Sequence, residues 1–430
     1  MQINGYLKKG RIIFLCFLAV LFACCILYQY GKLAFTKKAT PKQTSPLVQR
    51  GSILDKNGKP LAVSTNFYHV GVTPSAIKDI NKFAKLYSPL LKETESDIIS
   101  KILKSQSSSF VYLKKRVDQT TFEELKKITD DNGYISAVRF DRIPGRVYPE
   151  NNLASQLIGF MGDDGIGLAG IEYSLQDTLS PPINPEAPFE TQGKNVHLTI
   201  DANLQFKLEK IAKEAYSSTR AESLMLVAAN SKTGKILSYI SLPSANLNEY
   251  GSASPQEMKD RPAAENYEPG SVFKIFSIAS FLDSEAITEK DIFLCDGVFE
   301  RKTNYGERIR ITCLDHHGWI TAREALKYSC NDALAQMSEK IESEHFLAQL
   351  RKQGFGSKTG VELPGETAGA VRNTSDKYWS ARSKPTIAIG QEISVSALQM
   401  VQAATAIANK GYPIQLTFID KITTHGGVEE

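Results

Sequence analysis

Glu268-Pro-Gly-Ser271-Val-Phe-Lys274 sets a hydroxyl and an amine three residues apart, directly ahead of the apolar run Ile275-Phe-Ser-Ile-Ala-Ser-Phe-Leu282. Pro269 and Gly270 break any preceding strand, and the run that follows has helical period, so a helix is expected over 271–283 with Ser271 in its first turn. Residues one turn apart on a helix share a face, and the unpaired N–H groups of a first turn suit a developing oxyanion. Val272, Phe273, Ile275 and Phe276 are expected to keep water from Lys274, and desolvation lowers an ammonium pKa toward the range of a general base. On its own Ser-x-x-Lys is a weak pattern, and a helix cap beside a solvated lysine explains it as well.

A second element lies 58 residues further on, where Lys327-Tyr-Ser329-Cys-Asn331-Asp-Ala-Leu-Ala335 carries Ser-x-Asn at the head of a helical segment. It follows His317-Gly318-Trp-Ile-Thr321, which reads as a turn, and the short helix 322–327. Ser329 could pass a proton to a leaving amine, and Asn331 offers one donor and one acceptor to a substrate amide. Taken alone, Ser-x-Asn is more simply an N-cap. Two Lys-Thr-Gly strings also occur, Lys232-Thr-Gly234 and Lys358-Thr-Gly360. The first reads as the turn of a hairpin between 224–229 and 236–241, the second as a Gly-rich loop.

Ser-x-x-Lys followed by Ser-x-Asn is the beginning of the motif set of serine acyl-transfer enzymes, the penicillin-binding proteins and β-lactamases. Further segments sharpen the resemblance. Arg50-Gly-Ser-Ile-Leu-Asp55, Gly145-Arg-Val-Tyr-Pro149, Ala154-Ser-Gln-Leu-Ile-Gly159 and Gly167-Leu-Ala-Gly-Ile-Glu172 resemble the pedestal domain of class B penicillin-binding proteins. His197-Leu-Thr-Ile-Asp-Ala-Asn-Leu-Gln205, Ala388-Ile-Gly-Gln-Glu-Ile-Ser-Val-Ser-Ala-Leu-Gln399 and Ala408-Asn-Lys-Gly411 are similar to parts of its transpeptidase domain. In that family a Lys-Thr-Gly strand comes after the last of these, and the sequence stops at Glu430 before one. A chain incomplete at its C-terminus is therefore expected.

The resemblance implies a membrane-anchored α+β protein. Residues 1–32 would form a cytoplasmic tip and transmembrane anchor (about 12–28), 33–49 a linker and 50–190 the pedestal, or dimerisation-type, domain. Residues 195–430 would form a penicillin-binding, serine β-lactamase-like transpeptidase domain, an antiparallel sheet with a helical lobe. Ile12–Tyr28 is a run of 17 uncharged, mostly apolar residues behind Lys8, Lys9 and Arg11, just long enough to span a bilayer with snorkelling flanks. A cleaved signal, a lipoprotein signal and a core helix are the alternatives. The family implies an N-in orientation, with the catalytic domain on the extracytoplasmic side of the cytoplasmic membrane.

Composition is that of ordinary globular material, 42% apolar and 23% charged, and a net charge of +4 implies no nucleic-acid partner. Of six cysteines, Cys16, Cys24 and Cys25 fall in the apolar run and Cys330 inside Ser-x-Asn, leaving Cys295 and Cys313 as either a disulfide or two free thiols. No C-x-x-C or other metal-ligand spacing is present, His316 and His317 read as solvent-facing, and neither metal nor cofactor is expected.

The family implies a D,D-transpeptidase working through a serine acyl-enzyme. Ser271 would be the nucleophile, Lys274 its base, Ser329 a proton relay and Asn331 a substrate anchor. Its partners would be D-Ala-D-Ala stem peptides of peptidoglycan, β-lactams, the membrane and a membrane glycan polymerase of the wall machinery. The motif surroundings resemble division and sporulation types more than elongation types. A β-lactam hydrolase or sensor, and a non-catalytic scaffold, are the rival readings.

Overall fold

The computed structural model describes residues 9–35, 49–105, 109–183, 186, 192–303, 306–424 and 426–429. They fall into two units that meet between Leu47 and Val48. In the first, helix α1 (Lys9–Phe35) runs past the expected anchor at both ends, so 33–35 of the expected linker belong to a helix. The rest of the expected linker, 36–48, lies outside the described residues. Side chains of α1 from Ile13 to Tyr30, where described, are exposed all round. Among the described residues, no helix is long and apolar enough to cross a membrane.

The second unit begins with the pedestal. Strands β1 (Ile53–Leu54) and β2 (Pro60–Val72) lead into helices α2 (Ile80–Leu91) and α3 (Glu95–Lys104). Strand β3 (Val111–Val117), helix α4 (Gln119–Asp131) and strand β4 (Val138–Val147) follow. Each helix starts on a side-chain cap: Asp79 accepts from Lys82 N, Thr94 from Asp97 N and Asp118 from Thr121 N. Their apolar faces, with Phe83, Tyr87, Leu91, Ile98, Ile102 and Leu125 buried, close over Val70 and Val72 of β2.

Beyond it come β5 (Asn195–Leu198), α5 (Ala202–Thr219), β6 (Leu224–Ala229) and β7 (Ile236–Leu242). A 3-10 turn, Gly270–Phe273, opens α6 (Lys274–Asp283). Four short strands follow, β8 (Ile292–Cys295), β9 (Val298–Lys302), β10 (Arg308–Thr312) and β11 (Gly318–Thr321). The chain continues through α7 (Ala322–Lys327), α8 (Asn331–Ser338), α9 (Ser343–Lys352), α10 (Ser383–Ala388), α11 (Ala397–Ala408) and β12 (Ile419–Thr423).

One sheet ties the two halves together. Its order is β12-β5-β1-β2-β3, with β4 also on β2, and the β1–β5 pairing is parallel, Ile53 opposite Val196. Thus β5, expected to frame the second domain's sheet, pairs with the first strand of the pedestal. The β6–β7 hairpin stands as a separate antiparallel pair, joined to the 417–423 segment by a bridge between Lys235 and Thr417. The pedestal itself is locked by buried charge. Glu172 accepts from Arg50 Nε at 2.7 Å and from Arg146 Nε at 2.6 Å, and Arg146 also donates to the Gly51 carbonyl at 2.8 Å. All three side chains are at most 5% exposed, so each charge depends on the others for compensation. The expected boundary at 180–194 falls in part on 184–185 and 187–191, outside the described residues.

Candidate active site

The helical lobe supplies the scaffold. Phe273 and Phe276 are buried against Phe355, with ring centroids 4.9 and 5.2 Å away, which fixes how α6 enters the lobe. Val272 and Ile275 face outward, 64% and 37% exposed. Only half of the apolar quartet expected to shield Lys274 therefore does so. Ser271 lies in the 3-10 turn ahead of α6, not inside the α-helix, and is exposed. Lys274, the first residue of α6, is 1% exposed.

The short helix expected over 322–327 forms and does not run on into the next. Helices α7 and α8 are separated by Tyr328–Cys330, and Ser329 adopts φ 53°, a left-handed conformation costly for a non-glycine residue. The bend turns the Ser329 carbonyl onto the lysine. Lys274 Nζ lies 2.6 Å from Ser329 O, 2.7 Å from Asn331 Oδ1, 3.0 Å from Ser329 Oγ and 3.2 Å from Ser271 Oγ. All four residues singled out in the sequence are thus brought around one nitrogen. Ser329 O and Asn331 Oδ1 can only accept. A neutral amine gives its two N–H bonds to them, leaving its lone pair toward the two serine hydroxyls. Burial lowers the Lys274 pKa to about 8, the Cys313 and Cys330 sulfurs opposing that fall.

Asn331 is less free than expected. Its Oδ1 is committed to Lys274, and its Nδ2 donates to the Thr312 carbonyl at 3.0 Å, so one N–H remains for a substrate. The Ser271 turn rests on the segment after α10. Gly270 N donates to Gly390 O at 2.8 Å, Tyr267 pairs with Val395 and Glu392 N donates to Glu268 Oε1 at 2.9 Å. Gly390 has φ +89°, and a Cβ there would sit 1.9 Å from Gly270 O. That segment was legible only as a family resemblance, not as a support for the nucleophile.

The Lys-Thr-Gly strings are engaged elsewhere. Lys232 Nζ donates to Asn409 Oδ1 at 2.9 Å across the hairpin turn, and the amides of Thr359 and Gly360 donate to Glu366 at 2.7 and 3.0 Å. Neither reaches Lys274 by any hydrogen bond among the described residues. A concavity of about 660 Å³ between Pro149–Leu153 and α5 contains none of the four site residues.

Of the two alternatives for Cys295 and Cys313 the structure has the free thiols, both buried. The reading of His317 needs correcting, since it is half-buried and not solvent-facing. With Cys330 they form a group whose four ligand atoms lie within 4.8 Å of one another, close enough to hold a metal ion. Its spacing is Cys-x17-Cys-x3-His-x12-Cys, which matches no short motif and is assembled only by the fold.

Comparison with known proteins agrees with this architecture. Residues 46–182 match the penicillin-binding protein dimerisation domain, and residues 224–429 the penicillin-binding protein transpeptidase domain. Stage V sporulation protein D of Bacillus subtilis is 28% identical over 383 residues, 84% of this chain and 58% of that protein. The probable peptidoglycan D,D-transpeptidase PenA of Neisseria gonorrhoeae is 26% identical over 450 residues, 96% of this chain and 73% of that one. The chain thus spans less than two thirds of the first relative. In fold it is similar to penicillin-binding protein 2X of Streptococcus thermophilus, with a TM-score of 0.68 at 21% identity, covering 88% of this chain and 61% of that one. With a dimerisation domain followed by a transpeptidase domain, the chain belongs to the class B penicillin-binding proteins.

Proposed function

We propose that the protein is a peptidoglycan D,D-transpeptidase acting through an acyl-enzyme on Ser271. The observation that carries this reading is the buried Lys274 amine, 3.2 Å from Ser271 Oγ and with both N–H bonds claimed by obligate acceptors. Its lone pair takes the Ser271 proton as Oγ attacks the carbonyl carbon of the penultimate D-alanine of a stem peptide. The tetrahedral intermediate collapses, the C–N bond breaks and the terminal D-alanine leaves as an amine. Ser329 Oγ, 3.0 Å from the same nitrogen, carries the proton to that amine. The amine of a second stem then attacks the ester, and Ser271 recovers its proton as the cross-link forms.

A β-lactam enters the same first step, its ring nitrogen taking the place of the leaving amine. The apolar, all-round exposed surface of α1 behind Lys8, Lys9 and Arg11 supports a single-pass anchor in the cytoplasmic membrane, with the catalytic domain on its outer side. Septal wall synthesis is the proposed setting, with a membrane glycan polymerase of the wall machinery as the proposed partner; a relative named for sporulation is in keeping with that setting. Incubation with a labelled penicillin and mass spectrometry of the digest tests the proposal. A stable adduct on Ser271 is expected. Folded protein without an adduct, or rapid release of hydrolysed drug, overturns it.

A further inference from the structure

Cys330, the middle residue of Ser329-Cys-Asn331, turns its sulfur into a pocket it shares with Cys313, Cys295 and His317. Cys313 Sγ is 3.7 Å from Cys330 Sγ, and His317 Nδ1 is 3.3 Å from Cys295 Sγ and 3.7 Å from Cys313 Sγ. Zinc held tetrahedrally at about 2.3 Å from sulfur and about 2.0 Å from nitrogen sets its ligands about 3.8 Å apart for S···S and about 3.5 Å for S···N. Three of the six separations in this cluster agree with those edges to within a few tenths of an ångström, and all six are within 4.8 Å.

The surroundings are those of a ligand set. The three cysteines are 0–8% exposed. The His317 ring stacks on Tyr328, centroids 5.3 Å apart and planes within 9°, which presents Nδ1 to the sulfurs. Behind the cluster, the Asp296 amide donates to Asp332 Oδ2 at 3.2 Å, tying the end of β8 to α8.

We propose that Cys295, Cys313, His317 and Cys330 bind one Zn²⁺ as a closed Cys₃His site, anchoring the Ser329–Asn331 bend to the strands β8 to β11. Binding releases three thiol protons to solvent and leaves the imidazole neutral, so the site carries one net negative charge. No coordination position stays open. The ion is structural, and it holds the strained Ser329 backbone where its carbonyl meets Lys274.

The reduced full chain, loaded with Zn²⁺ or Co²⁺ and freed of excess by gel filtration, tests this. The expected result is one metal per chain and, for Co²⁺, the intense visible bands and sulfur charge-transfer absorption of a tetrahedral thiolate site. C295S and H317A should each weaken retention against a chelator by at least about tenfold. H317A, on a half-buried turn, keeps the measurement open if C295S does not fold, and S271A should bind metal as the wild type does. Reduced, folded protein without metal, weak octahedral cobalt bands, unchanged retention in H317A, or a Cys313–Cys330 disulfide in the isolated protein overturns the assignment. The metal readouts do not depend on acylation. Metal bound without a penicillin adduct would sink only the acyl-transfer reading, and an adduct without metal only this one.

Discussion

Lys274 Nζ and the Ser329 carbonyl are 2.6 Å apart, a contact that exists because Ser329 takes a left-handed backbone between two helices. The lysine is held by a carbonyl, an amide oxygen and two hydroxyls. No carboxylate pairs with it among the described residues. A buried ammonium without a carboxylate loses solvation and gains little Coulomb energy in return, which is the physical reason for its lowered pKa.

Loss of either member of the Ser271–Lys274 pair should be seen in the penicillin adduct. S271A should give none, while its melting curve stays close to the wild type, because the side chain is exposed and its removal leaves no buried polar group unpaired. K274M keeps the stem and removes the base. Its acylation rate should fall by about 10²–10⁴-fold, measured by stopped-flow with a fluorescent penicillin.

Acylation should also follow the protonation of Lys274. The neutral amine is the base, and its pKa lies near 8, so the rate should climb from about pH 7 and level off near pH 9. The stability linkage has the same sign. Between about 8 and the ordinary lysine value of 10.5 the unfolded chain binds the extra proton, so stability contributed by this group rises with pH across that window. K274M should lack both dependences. A flat acylation profile from pH 7 to 9 in the wild type would contradict the assignment of Lys274 as base.

Local pattern made some of this legible and left the rest unread, for a consistent reason. The β6–β7 hairpin was readable from two apolar runs around Lys232-Thr-Gly234. Ser271, Lys274, Ser329 and Asn331 were readable because Ser-x-x-Lys and Ser-x-Asn are short. Strands β8 to β11 are four or five residues each, too short for alternation to show. The Cys295–His317–Cys330 grouping depends on those strands, and nothing within a window of the sequence encodes it. Glu172 was quoted only as part of a familiar segment, since its arginine partners lie 122 and 26 residues away.

That glutamate offers a test of how the pedestal's own segments are held together. E172A would leave Arg50 and Arg146 buried without their shared counter-charge. The expected loss is about 3–5 kcal/mol, read as a lower midpoint in urea unfolding. E172Q retains hydrogen-bonding atoms without the charge and should lose less. A change below about 0.5 kcal/mol in E172A would show that the arginines find other compensation.

Gly390 makes the final prediction, because it separates position from chemistry. The residue touches neither Ser271 Oγ nor Lys274 Nζ through any hydrogen bond, yet its carbonyl accepts from Gly270 N, the amide just before the nucleophile. G390A introduces a Cβ 1.9 Å from Gly270 O at a backbone φ of +89°. Both obstacles are backbone, so no side chain can swing aside, and the Ser271 turn must move away from Lys274. A displacement of about 1 Å is enough to cost about 10²-fold in rate. Acylation of G390A should fall by that order while Ser271 and Lys274 remain in place chemically. Raising the pH, which restores any lost base strength, should not recover it. Wild-type acylation in folded G390A would show that the 388–395 segment does not set the nucleophile's position.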